Sequence, residues 1–227
     1  MLVITLKILL APLLVAAATL VGRRWGARVG GLVVALPVVA GPILLVIALQ
    51  HGSHFAAITA RHALLAVIAL CGFTIVFALL SPSGSWPIAL LGGWVVYGGL
   101  AAAASQVDLA VGPAAVLVLA AIIATRVGLD RQPPGGAAGT GEVPSWDLPL
   151  RMAVTLVLVV TVTSTAAATG PAVSGVLTPF PIATSVLAAF TLAQHGPAGA
   201  NAFLRGFVTA MPMFAGFFAI CAIALST

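Results

Sequence analysis

A chain of 227 residues that is 62% hydrophobic and only 6% charged has far more apolar surface than a water-soluble domain can bury. Nine basic residues against four acidic ones give a net charge of +5, but no soluble basic domain carries them, which argues against a nucleic-acid partner. Apolar stretches approach the roughly 20 residues that cross a bilayer as a helix, and continuous Leu, Val and Ala runs lack the alternation of a barrel. The expectation is an all-α, polytopic membrane protein.

Broken at charge clusters and turn residues, the sequence predicts about eight spans. The first, 2–21, has a signal-like end at Ala16, Ala17 and Ala18. It lacks a basic start, however, and Lys7 interrupts it, so it reads as a retained span. "GRRWGARVG" follows; it has GxxxG spacing, but its three arginines make it a loop rather than a dimerisation face. The next spans are 29–50, 61–80, 86–104 and 109–127, which complete an N-terminal membrane unit, 1–127. Residues 128–148, rich in Pro and Gly, read as an aqueous linker, and 149–227 as a C-terminal unit with spans 149–168, 173–194 and 203–225.

Eight spans place Arg23, Arg24, Arg28, Arg126, Arg131, Arg151 and Arg205 on one face and leave Lys7 and Arg61 on the other. Seven against two puts the first face and the linker in the cytoplasm and both termini in the periplasm. The acids Asp108, Asp130, Glu142 and Asp147 all fall in predicted loops, so no span carries the carboxylate that coupled carriers often use.

Gln50-His51-Gly52 recurs as Gln194-His195-Gly196, 144 positions later. At the same offset Gly31 matches Gly175, Pro37 matches Pro181, Arg61 matches Arg205, and Lys7 matches Arg151. An internal duplication relates spans one to three, near 5–80, to spans six to eight. Five spans separate the partners, an odd number, so the copies enter the membrane from opposite sides. Inverted repeats are a common architecture of secondary transporters, because exchanging the two copies' conformations turns an outward-open state inward-open. A fused dual-topology ancestor that never transported would look the same.

Pro37 and Pro42 in the second span, and Pro179 and Pro181 in the seventh, each lack a donor and expel the carbonyl four residues earlier, at Val33, Val38, Gly175 and Leu177. With Thr178, Thr184 and Ser185 they outline a substrate-binding site where the repeats meet; the alternative is ordinary kinks. Gln50, His51, Gln194 and His195 suit helix capping, with Arg61 and Arg205 nearby as mouths that attract an anion. His51, His54 and His62 lack a nearby carboxylate or Cys, so no metal is expected, and Cys71 and Cys221 read as packing residues. Walker, HExxH and GxSxG motifs are missing from the sequence, and neither an enzyme nor a cofactor is expected.

"GGLVVALPVVAGPILLVIALQHGSHFAAITAR" resembles the signature of the GlpM-like small inner-membrane proteins, on Gly31, Leu32, Pro37, Gly52 and Arg61. "GVLTPFP" with Gly196 and Arg205 matches it again, whereas that family carries the pattern once. The resemblance implies a bacterial inner membrane and names no substrate.

The functional expectation is a small secondary transporter or permease for a small anionic or amphipathic metabolite. Its partners would be the lipid bilayer, that substrate and a second copy of the chain. The alternatives are a non-transporting scaffold for envelope polysaccharide or lipid machinery and, behind it, a lipid-modifying enzyme using His51 or His195. A polar cavity reaching the midplane favours transport; a tightly packed apolar interior favours a scaffold.

Overall fold

The structure, a computed structural model, describes residues 2–132, 144–169 and 180–226, with the backbone alone for 2–5, 7 and 163–169. Among the described residues there are helices and turns but no strand. In chain order the helices are α1 (Leu2–Trp25), α2 (Ala27–Val34), α3 (Ala40–His51), α4 (Ser53–Leu80), α5 (Trp86–Ser105), α6 (Val111–Asp130), α7 (Asp147–Thr169) and α8 (Ile182–Ala224). The backbone of Gly196 is not helical, so α8 is two helices, 182–195 and 197–224, joined end to end.

Five helices are long and apolar enough to cross a membrane among the described residues: α1, α4, α5, α6 and α8. Their outward faces carry Leu13, Val95, Val116 and Ile220, each more than half exposed. Such faces lose free energy in water and none in hydrocarbon. The chain is a helical membrane protein.

Several expected boundaries move. The second span is not one helix: α2 stops at Val34 and α3 starts at Ala40, with Pro37 in the gap. α1 runs through Arg23 and Arg24, so the predicted arginine loop shrinks to a turn at Gly26. α4 begins at Ser53 rather than 61, which puts His54 in its first turn instead of a loop, and the final helix likewise begins at Pro197 rather than 203. Asp147 was expected in a loop and is the first residue of α7. Residues 133–143, most of the predicted linker with Glu142, lie outside the described residues.

α4 is the central helix, with 14 of its 28 residues buried against 4 of 20 in α5 and 5 of 20 in α6. It packs on α3, α5, α6 and α8, while α1 packs on α2 and α7. α2 crosses the second half of α8 with backbones almost touching. A Cβ on Gly31 would lie 2.0 Å from the Phe203 carbonyl oxygen, and one on Gly206 would lie 1.8 Å from that of Arg28. Small residues let helices approach this closely where lipid supplies no hydrophobic drive between them.

Candidate functional site

The repeated triplet builds the same joint twice. His51 ends α3 and Ser53 starts α4, while His195 and Pro197 play those parts within α8. Between them Gly52 has φ 87° and ψ 162°, and Gly196 has φ 66° and ψ −171°. Only glycine adopts this backbone without strain. Gly52 N–H donates to the Ala48 carbonyl, which caps α3. The matching reaches further: α4 spans 53–80 and the second half of α8 spans 197–224, both bounds 144 apart.

The matched arginines sit at the two ends of α6. Arg61 Nη2 lies 2.9 Å from Asp108 Oδ1, just before α6 begins. Arg205 Nη2 donates to the Leu129 carbonyl at 2.9 Å, and its Nε is 3.8 Å from Asp130 Oδ1, at the last residue of α6. Twenty helical residues rise about 30 Å, the thickness of the hydrocarbon core. Because Asp108 is 78% exposed, Asp108→Asn should cost less than about 1 kcal/mol, as thermal unfolding in detergent would show.

A cavity of about 640 Å³ lies beside the break between α2 and α3. Leu36 and Val39 of the break, Phe180 to Thr184 at the start of α8, and Ala63 and Ala66 of α4 form its inner wall. His51, Phe55, Thr59, His62 and Ser105 line it toward the Asp108 end. Among the described residues neither Lys nor Arg lines it, and the walls are mostly aliphatic. His62 Nδ1–H donates to the Ile58 carbonyl at 2.9 Å, which leaves Nε2 as its acceptor, and the His51 ring packs on Phe55 with centroids 5.2 Å apart.

Of the residues expected to bind substrate, Pro181 and Thr184 line this cavity, together with His51, which was expected at a mouth. Pro37 lies in the break beside Leu36, but the carbonyl it was expected to free, Val33, accepts the Leu36 N–H at 3.2 Å. Pro42 sits in the first turn of α3, between the Gly41-to-Pro37 and Ile43-to-Val39 backbone bonds, and does not line the cavity. The Ser185 hydroxyl is buried and accepts the Trp94 indole N–H at 2.9 Å. Thr178, Pro179 and the carbonyls of Gly175 and Leu177 lie outside the described residues. Pro37→Ala should let α2 and α3 join into one helix; unchanged membrane insertion with a rise in helical circular dichroism checks this.

The start of α7 holds a buried ionic cluster. Asp147 is wholly buried; Arg151 Nε donates to its carboxylate at 2.9 Å and Arg23 Nη2 at 2.8 Å. Gln194 bridges the pair, its amide N–H donating to Asp147 and its carbonyl accepting from Arg151 at 2.7 Å. The Arg151 guanidinium lies 4.9 Å over the Phe190 ring. Burial pushes the Asp147 carboxyl up, but hydrogen bonds from Gln194, Arg151 and Arg23 outweigh it and hold the group below its ordinary range. Gln194 therefore ties α8 to α7 instead of capping its own helix. The cluster thus joins α1, α7 and α8 across distant parts of the sequence; the only local signal for it was the four-residue spacing of Asp147 and Arg151.

His195 Nδ1 is buried without a partner, and Gln50 is exposed and does not line the cavity. Cys71 packs its sulfur 3.9 Å from that of Met211, in the core, and Cys221 is partly exposed. Comparison with protein-family models, curated proteins and solved structures finds no match to the chain.

Proposed function

We propose that the chain is a small secondary transporter or permease of the inverted-repeat type, with about eight spans in a bacterial inner membrane and its linker in the cytoplasm. The count treats α2 with α3 as one broken span, which residues 27–51 are long enough to form. One observation carries the reading: Arg61 and Arg205, matched at offset 144, lie at opposite ends of the same apolar helix. Paired helices also lie against each other, α1 on α7 and α4 on α8, an arrangement compatible with a two-fold axis in the membrane plane. The GlpM-like resemblance belongs to the same proposal and supplies no chemistry.

The cavity favours the amphipathic of the two expected substrate classes. A small inorganic or carboxylate anion gains nothing from aliphatic walls, whereas an amphipathic molecule places its chain there and its polar head among His51, Thr59, His62 and Ser105. The cavity reaches the polar mouth near Asp108, while the Asp147 cluster holds α1, α7 and α8 together at the far end. Such a pairing suits one open and one closed gate.

Purified protein in proteoliposomes should equilibrate a fluorescent single-chain amphiphile and leave acetate untouched. Ala63→Phe, which fills the cavity, should abolish that flux while the protein stays folded. If no probe crosses faster than through empty liposomes, the scaffold reading replaces transport.

A further inference from the structure

A second, smaller pocket of about 70 Å³ lies outside the cavity, at the Asp130 end of α6. Arg28 of α2, Arg126 and Asp130 of α6, and Arg205 and Thr209 of α8 line it. Three guanidiniums against one carboxylate leave two positive charges unmatched. Among the described residues Arg28 and Arg126 make no ion pair, and Arg205 Nε is buried with no hydrogen-bond partner. The Thr209 hydroxyl is committed to the Arg205 carbonyl at 2.7 Å, so the free donors of the pocket are guanidinium N–H groups.

The arginines are held together by the backbone. Gly206, next to Arg205, touches the Arg28 carbonyl, and this contact fixes where α2 presents Arg28. Arg126 stands one turn before Asp130, at the depth where a spanning helix leaves hydrocarbon for head groups. Arg28 and Arg126 are exposed, so solvent screens much of their repulsion, and an anion seated among the three guanidiniums would remove the rest. Planar guanidinium forks match tetrahedral phosphate oxygens two at a time.

We propose that this pocket binds a phosphate group, presented by an anionic lipid head group or as free phosphate. The inference does not depend on transport, because none of these residues lines the cavity. On the measure by which one water needs about 10–15 Å³, this volume holds a few waters or one phosphate rather than a whole polar metabolite.

The test titrates the purified full-length chain, in neutral detergent, with short-chain phosphatidylglycerol, phosphatidylcholine or inorganic phosphate and follows the unfolding temperature. Phosphatidylglycerol should give a saturable rise that phosphatidylcholine does not. Arg28→Gln with Arg126→Gln should move its midpoint about tenfold higher, and lysine at both positions should recover part of the loss. Arg24→Gln with Arg131→Gln removes the same charge from arginines outside the pocket and should leave the midpoint in place. An equal, arginine-dependent rise with inorganic phosphate alone would support the site with free phosphate as ligand. If both double variants weaken binding equally, or if neither phosphatidylglycerol nor phosphate gives a saturable rise, the pocket is only part of a diffuse basic face and the proposal falls.

Discussion

Asp147→Ala should be the most damaging polar substitution in the protein, at about 3–5 kcal/mol, because it strands a buried guanidinium and the Gln194 amide without their shared partner. Unfolding in detergent should show the loss directly. The contrast is Asp108→Asn at the other mouth, an exposed pair of the same chemistry and little consequence. Replacing both partners with apolar residues, Asp147→Leu with Arg151→Met, should recover much of the loss, since the desolvation of two charges disappears with their attraction. The pH dependence has a definite sign. A carboxyl whose folded pKa is depressed contributes stability above its unfolded pKa, near 3.9, and loses it as pH falls through the lower folded value. The cluster should therefore hold at mildly acidic pH and fail only in strong acid. A stability decline between pH 7 and pH 5 that Asp147→Asn removes would contradict this.

Gly206→Leu should prevent accumulation of folded protein. The obstacle at 1.8 Å is the Arg28 main chain, which cannot rotate aside as a side chain can, so the cost should exceed the about 1–3 kcal/mol of ordinary overpacking. Gly31→Leu meets the same crossing from the α2 side and should behave alike. Gly98→Ala is the control, since a Cβ there has nothing within 4 Å. In the interior of α5 it should be neutral or stabilise by up to about 1 kcal/mol through helix propensity. Yields of monodisperse protein and unfolding temperatures for the three variants separate a backbone crossing from general intolerance of mutation.

The helical membrane class was legible in composition alone, because a bilayer leaves apolar runs few other structures. The glycine joints at 52 and 196 were legible through the repeated triplet, since glycine before a new helix has a narrow set of uses. The start of α4 was not, because Ser53, His54 and the basic residues after them resemble a loop while helix formation there is driven by packing on α5, α6 and α8. Asp147 was missed because charge in a Pro- and Gly-rich stretch reads as solvated, and its partners Arg23 and Gln194 lie 124 and 47 residues away. The phosphate pocket draws one arginine from each of three helices, and these are the residues whose clustering on one face was read as a topology signal.

The inverted relation between the copies is the claim on which the transport reading stands, and sided labelling tests it most directly. In a chain with Cys71 and Cys221 replaced by alanine, single cysteines are placed at Ser53 and Ala198, each just after one of the two glycine joints. An impermeant thiol reagent applied to intact cells should label position 53, and should reach position 198 only after the membrane is opened. Equal labelling of both positions in intact cells would place the two joints on one face and contradict the inversion.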